Sequence, residues 1–525
     1  MALLGRRGGR CRPRACRAAA AAPARPAAGG PQHRGAELTR RLAAVDLGAR
    51  SGRVAVGGFD GDRLTVEEVH RFPNEPVEED GVLRWDVEGL RRAVWDGLRR
   101  AGREQPVESV AVDSWGVDFG LLDGSGRLLQ RPAHYRNARR AASFESVLEA
   151  IPSRELYGRT GIQLLPINTI FELAAAAAGG DEALKKARRL LLIPDLFHHW
   201  LCGSETSEWT NATTTQCFDP FARDWARDLL DRVGIPTAIL PDVVPPATLL
   251  GVSAEAGLGG AQVVAGATHD TGAAVAAIPL RPGCAYLSIG TWSLVGIEAS
   301  EPVVGDDAFR ANVTNEGGVD GTYRVLRNVT GLWLLDESRR AWAAAGHDYE
   351  PAELVDLARS AEPFRSLIDP NDPLFTEPGD MPARITAFCR GTGQPAPGDV
   401  AETVRCIFES LALKHAETID LLAGLTGRPI DELHVVGGGA RNELLCTWTA
   451  DASGRVVLAG HGEATVIGNL LVQALALGEL ASLGEGRELV RASFAERRYE
   501  PATGAAWREA RGRFAALERH AGVTA

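Results

Sequence analysis

Hydrophobic positions first come in short alternating runs. Residues 42–46, 53–59 and 64–72 are apolar or alternate with polar positions, and the gaps at 47–52 and 60–63 are rich in Gly, Asp and Arg. Runs of that kind, broken by turn residues, predict three strands of an antiparallel meander. The same grammar returns about 240 residues later, with apolar runs at 284–289 and 292–299 around Gly290-Thr291, then another at 322–326. Recurrence at that distance predicts a duplicated domain. Helices are expected over 87–100, 173–178, 221–233 and 272–277, alternating with strands at 109–113, 190–193 and 261–265. That alternation is the signature of an α/β architecture. In the second half, Asp399 and Glu402 form a capping box before Val404, Ile407, Phe408 and Leu411, whose spacing of three and four marks one buried helix face. A strand at 432–436, the turn Gly437-Gly438-Gly439 and a helix over 441–452 follow, and a cleft between the two halves is the expected ligand site.

Composition narrows the function. With 525 residues, 45% apolar and 24% charged, the chain is long enough for two domains of about 200 residues. Charged residues and Gly break every apolar run short of the roughly 18 residues a membrane helix needs, so no membrane span is expected. Residues 1–41 hold ten Arg and a single acid, Glu37, leaving 47 bases against 67 acids in the remainder, a net charge of −20. A body that acidic argues against a nucleic-acid partner. The basic extension has only Leu3, Leu4 and Leu38 as large aliphatics and is expected to be disordered. Its composition also suits an organelle transit peptide, or sequence ahead of a later translation start. The eight cysteines show no Cys-x-x-Cys spacing, which fits a reducing cytoplasm. Cys389 and Cys406 flank a Pro/Gly turn and can meet in space, although that compartment disfavours a bridge.

Gly266-Ala-Thr-His-Asp-Thr-Gly272 joins a strand to a small-residue helix. Asp270 within it is the candidate catalytic base, with a helix N-cap as its plain alternative, and the two roles are compatible at a helix N-terminus. His269 beside it reads as a structural or substrate hydrogen-bond partner. Asp46-Leu-Gly-Ala-Arg-Ser-Gly-Arg53 ends a strand in a carboxylate and offers backbone N–H groups to a phosphate, or only reverses the chain. There Asp46 can hold Mg²⁺ through water, and Arg53 can meet phosphate oxygens. Ser288-Ile-Gly-Thr-Trp-Ser293 mirrors that hairpin and presents Thr291. The triple glycine at 437–439 offers flat backbone to a ring and ribose. Ala111-Val-Asp-Ser-Trp-Gly-Val-Asp118 suits either a sugar-contacting loop or a buried aromatic with satisfied carboxylates.

In combination Ala44-Val-Asp-Leu-Gly-Ala, Asp113-Ser-Trp-Gly-Val-Asp-Phe, Thr268-His-Asp-Thr, Ser288-Ile-Gly-Thr-Trp-Ser-Leu and Val436-Gly-Gly-Gly-Ala-Arg-Asn resemble the FGGY carbohydrate kinases over about residues 42–500. The segments 161–169, 208–216, 315–318 and 323–335 bring it nearest to the members acting on L-rhamnulose. The resemblance implies two actin-like, ribonuclease H-like ATPase domains closing over MgATP and the sugar. It further implies an N-terminal domain at 42–280 with the sugar and phosphate contacts and the base, and a nucleotide domain at 281–500; the basic extension at 1–41 has no counterpart in the family, and a helical tail is expected at 501–525. Carried over residue by residue, Asp270 takes the proton of the sugar's primary hydroxyl, while Gly116, His269, Thr271 and Asn328 contact the ketose. Ala49, Arg50, Ser51, Gly52, Arg53, Thr291 and Gly438 hold ATP. Asp336 stands where family members commonly have Gln as a nucleotide contact, and a carboxylate there repels phosphates while still accepting from ribose or adenine. Kinases of other ketoses such as L-fuculose, and a non-catalytic binding module on the same fold, are the competing readings. Nothing in the sequence chooses between monomer and dimer.

Overall fold

The first meander forms as the alternation predicts. In the computed structural model, which describes residues 40–60, 62–103, 105–502 and 504–521, Arg40–Leu47 (β1), Ser51–Phe59 (β2) and Leu64–Pro73 (β3) pair antiparallel, with Asp46 opposite Arg53. The basic extension lies outside the described residues except for Arg40 and Arg41, which open β1. Val87–Ala101 (α1) starts at Asp86, whose side chain accepts from the Gly89 amide, and buries Val87, Leu90, Val94 and Leu98 at helical spacing. Ser109–Ser114 (β4) is buried at every position, as a parallel strand covered on both faces must be, and places Asp113 beside Asp46 of β1. Ile193–Cys202 (α2) packs on that sheet, Thr248–Val252 (β5) and Gln262–Ala265 (β6) extend it, and Asp270–Ala277 (α3) follows. The strand order is β3-β2-β1-β4-β6-β5.

The second sheet repeats that order. Cys284–Ile289 (β7), Trp292–Ala299 (β8), Thr314–Gly317 (β9) and Tyr323–Thr330 (β10) are followed by helix Trp333–Ala344 (α4) and the 27-residue helix Val400–Thr426 (α5). Glu432–Val436 (β11), Glu443–Ser453 (α6), Val456–Ala459 (β12), Ala464–Leu477 (α7), Arg497–Tyr499 (β13) and Ala505–Ala521 (α8) complete the chain. In β9-β10-β8-β7-β11-β12-β13, the meander β10-β8-β7 and the parallel strands β11 and β12 answer β3-β2-β1, β4 and β6. Both halves are therefore α/β units of one topology, as the recurrence implies. Asp399 caps α5 by accepting from the Glu402 amide. α5 is buried nearly all round, well beyond the one face expected, because α6, α8 and β10 all pack on it.

α7 joins the halves. It crosses α3 so closely that a β-carbon on Gly468 would collide with the Ala273 carbonyl. Its Asn469 and Gln473 reach the first sheet. Asn469 Nδ2 donates to Asp113 Oδ2 (2.6 Å), and Gln473 Nε2 donates to the Ala43 carbonyl (3.0 Å) while its Oε1 accepts from Ser109 (2.6 Å).

Three expected elements need correction. Residues 221–233 are mostly not helical, since Asp219 Oδ1 accepts from the Phe221 and Ala222 amides in a turn and the helix spans only Arg227–Arg232. Ile193 opens α2 instead of ending the strand before it, and the helix expected at 173–178 begins at Thr169. Cys389 and Cys406 do meet, thiol to thiol, but both are buried and free, not bridged. No helix of the described residues is long and apolar enough to cross a membrane.

Candidate active site

Between the two sheets lies a cavity of about 290 Å³, lined by Trp115, Gly116, Tyr135 and Asp270 on one side and by Thr291, Glu316 and Asn328 on the other. Ala49, His269 and Thr271 also face it. The structure thus gathers seven of the expected site residues on one wall-to-wall surface, although they span positions 49 to 328.

Asp270 is the first residue of α3, and His269 occupies the cap position. Its Oδ1 accepts from the Thr271 amide (2.5 Å) and hydroxyl (3.1 Å), so the helix terminus holds the carboxylate while 30% of the side chain stays open to the cavity. Burial of the surrounding protein raises its pKa above the ordinary aspartate value of 3.8. The His269 ring and the Thr271 donors oppose that rise, and the neighbouring Asp46 charge adds to it. A base works only when deprotonated, so kcat/KM should fall on acidification with a limb above 3.8, and a pH profile placing the limb at or below 3.8 would contradict this environment.

His269 is held from behind. Its Nδ1 lies 3.0 Å from Arg324 Nη2 and 3.2 Å from Glu316 Oε2, and its Nε2 lies 3.4 Å from Asp270 Oδ1. Nδ1 thus lies between a donor, Arg324, and an acceptor, Glu316, and Nε2 faces the Asp270 carboxylate. Glu316 pairs with Arg324 at 3.0 Å. Burial pulls its pKa up, but Arg324 and His269 outweigh that and keep it ionised. The loop bearing Thr268 and His269 is clamped by Glu208, which is fully buried and accepts from the amides and hydroxyls of both Thr210 and Thr268 at 2.5–2.9 Å. Glu208→Gln replaces an acceptor oxygen with a donor facing donors, and should lower kcat at least tenfold with a smaller change in KM, which steady-state kinetics would read.

Over 113–118 the reading of a buried aromatic with a satisfied carboxylate holds for Asp118, while Trp115 and Gly116 line the cavity. Asp118 is fully buried and accepts from Trp85 Nε1 (2.6 Å), Trp115 Nε1 (3.0 Å) and the Tyr135 amide (3.2 Å), with Arg140 on its other oxygen at 2.5 Å. It thereby fixes two aromatic walls of the cavity, Trp115 and Tyr135. Asn328 donates to Gln163 Oε1 through its side chain (3.0 Å) and its amide (3.2 Å). Gln163, Glu208, Glu316 and Arg324 lie within the segments 161–169, 208–216, 315–318 and 323–335 that carry the resemblance, but none is given a role from sequence, because each acts on a partner in a distant segment.

The nucleotide side differs in detail from expectation. Gly437 has φ +83°, and a β-carbon on Gly437 or Gly439 would strike Ile289, so these two glycines pack the turn onto the hairpin that presents Thr291. Gly438 is open on all sides and is the free flat backbone of the three. A β-carbon on Gly52 would meet the Phe72 ring, so packing alone already requires glycine there. Arg53 ion-pairs with Asp46 (2.7 Å) and with Glu463, and so faces carboxylates in this structure. Asp336 is paired with Arg50 at 2.6 Å, two expected ATP contacts 286 residues apart. That pairing removes the repulsion expected of a carboxylate here.

Asp46, Asp113 and Asp270 converge. Burial lifts the Asp113 pKa well above the ordinary range, and Asp46 and Asp270 add to the lift, while Asp113 Oδ1 is buried without a hydrogen-bond partner. A buried carboxylate with one orphaned oxygen, set beside two others, suits a hard divalent cation with oxygen ligands.

Residues 42–277 match the profile of the FGGY family of carbohydrate kinases, N-terminal domain, and residues 285–477 match that of its C-terminal domain. The chain is 43% identical over 477 residues to a rhamnulokinase of Bacteroides thetaiotaomicron, covering 90% of this chain and 98% of the relative, and 41% identical over 467 residues to a rhamnulokinase of Pectobacterium carotovorum, covering 88% and 93%. Its fold is similar to the crystal structure of xylulose kinase from Lactobacillus acidophilus, at a TM-score of 0.77 and 14% identity over 92% of this chain and 98% of that one.

Proposed function

Because the chain belongs to the FGGY family of carbohydrate kinases, it is a carbohydrate kinase, and we propose that it transfers the γ-phosphoryl group of ATP to the 1-hydroxyl of L-rhamnulose, yielding L-rhamnulose 1-phosphate and ADP. The observation that carries this reading is a lone helix-terminal carboxylate, Asp270, facing a sugar-sized cavity that also contains the Thr291 hairpin. The relatives named for L-rhamnulose supply the sugar.

In this reading Asp270 accepts the proton of the sugar O1–H, O1 forms a bond to the γ-phosphorus, and the bond from that phosphorus to the β,γ-bridging oxygen breaks to release ADP. His269, Thr271, Gly116 and Asn328 orient the ketose, with the Arg324–Glu316 pair fixing the His269 ring. Thr291, the 49–53 hairpin and Gly438 hold ATP, and Arg50 bound to Asp336 closes one end of that groove. Trp115 and Tyr135 keep water from the γ-phosphoryl group. Asp46 and Asp113 are the residues that would hold Mg²⁺, which when bound neutralises phosphate charge. This assignment places the protein in the cytoplasm, with MgATP, in L-rhamnose degradation.

The test is ADP formation by the purified chain with MgATP and L-rhamnulose, L-fuculose, L-ribulose, D-xylulose or glycerol. Preference for L-rhamnulose is expected. Preference for another member would replace the sugar and keep the kinase, and no sugar-stimulated turnover from folded, ATP-binding protein would overturn both.

A further inference from the structure

Away from the cleft, metal-ligating side chains meet where β7 and β11 begin. These strands run parallel with Cys284 beside Glu432 and Tyr286 beside His434, so Cys284, Glu432 and His434 rise from one face of the sheet. One ligand atom of each lies within 4.8 Å of the others. Cys284 Sγ is 3.5 Å and His434 Nε2 is 3.3 Å from Glu432 Oε1.

The histidine is oriented as a ligand. Glu496 Oε1 sits 3.1 Å from His434 Nδ1 and accepts from it, which turns Nε2 toward the thiol and the Glu432 carboxylate. His434 is 3% exposed and its Nε2 has no hydrogen-bond partner. A buried ring nitrogen set against a thiol and a carboxylate oxygen is a polar atom still to be satisfied. Arg281, which is exposed, reaches both Glu432 oxygens at 3.0–3.1 Å but leaves Nε2 unserved. A cavity of about 250 Å³ lined by Arg281, Gly283, Cys284 and Glu298 opens beside the cluster, which provides an entry path and room for a water ligand.

We propose that Cys284, Glu432 and His434 form a zinc site with water in the fourth position. Thiolate, imidazole and carboxylate together match Zn²⁺ and not the hard cation of the cleft. Binding displaces the thiol proton to solvent and changes no oxidation state. The site has a structural role. β7 leads from Cys284 to Gly290-Thr291, roughly 20 Å away at about 3.3 Å per residue, and β11 leads from Glu432 to the 437–439 glycines. Zinc therefore ties together the starts of the two strands whose other ends carry the nucleotide turns.

The test uses the full chain stripped by chelator and titrated with Co²⁺, then Zn²⁺. About one equivalent of Co²⁺ should bind with a thiolate-to-cobalt absorption band, Zn²⁺ should displace it and raise Tm, and excess Mg²⁺ should do neither. The band and the Tm shift should be lost in Cys284→Ser and kept in Cys446→Ser. If Cys284→Ser does not fold, Glu496→Gln keeps all three ligands and should weaken Co²⁺ binding about 10–100-fold. Absence of the band, its survival in Cys284→Ser, or unchanged Co²⁺ affinity in Glu496→Gln would overturn the proposal.

Discussion

Replacing Asp270 with Asn should lower kcat about a thousandfold while leaving the fold and ATP binding intact. Asn keeps an oxygen to accept from Thr271, and it occupies the same volume at the start of α3. What it loses is proton affinity. In a reaction whose protein contribution is positioning plus proton acceptance, removal of the acceptor leaves only orientation by His269, Thr271 and Asn328. Single-turnover phosphoryl transfer, with circular dichroism as the folding control, checks this. Near-normal turnover in folded Asp270→Asn protein would assign the base elsewhere, and among the described residues Glu316 is the other carboxylate lining the cavity.

The largest stability effect is expected at Asp118. Burial pulls its pKa up against Arg140 and the two indole donors, so the ion pair itself adds less than its geometry suggests. Loss of one partner is a different matter. In Asp118→Ala the buried Arg140 keeps only Glu172 (3.2 Å) as a carboxylate partner, and Trp85, Trp115 and the Tyr135 amide lose their common acceptor. An uncompensated buried charge costs about 3–5 kcal/mol. Denaturant unfolding should show that loss, and the protein that remains folded should have a raised KM for the sugar, because the Trp115 and Tyr135 walls are no longer fixed. A change below about 1 kcal/mol would mean that the aromatic stack of Trp85, Trp115 and His134 holds the wall without the carboxylate.

Much of the fold is legible where the backbone itself writes the pattern. The two meanders can be read from alternation and turn residues, and their recurrence carries the duplication that the matching strand orders show. The helix expected over 221–233 fails because apolar spacing says nothing of Asp219, whose side chain captures two following amides and leaves Phe221 54% exposed. α7 goes unread for another reason. It is apolar on nearly every face, and the residues that give it meaning, Gly468, Asn469 and Gln473, answer to partners in the other half of the chain.

The site divides in the same way. Asp270, Thr291 and the glycine turn stand out because each lies at a strand end with its own local signature. Glu208 and Glu316 do not, since a buried carboxylate on a strand is recognisable only once Thr268 or Arg324 has been brought against it. Glycines mislead in a related way. Gly52, read as a phosphate contact, and Gly439, read with its neighbours as flat backbone for a ring, are also required by Phe72 and Ile289, whereas a β-carbon on Gly438 would meet nothing.

The central claim is phosphoryl transfer to one hydroxyl of one ketose. The most direct measurement is phosphorus and carbon NMR of the product formed from L-rhamnulose and MgATP. The account predicts a single phosphomonoester whose phosphorus couples to the C1 protons and carbon, with ADP formed in equal amount. Phosphate on any other hydroxyl, or ADP accompanied only by inorganic phosphate, would contradict it.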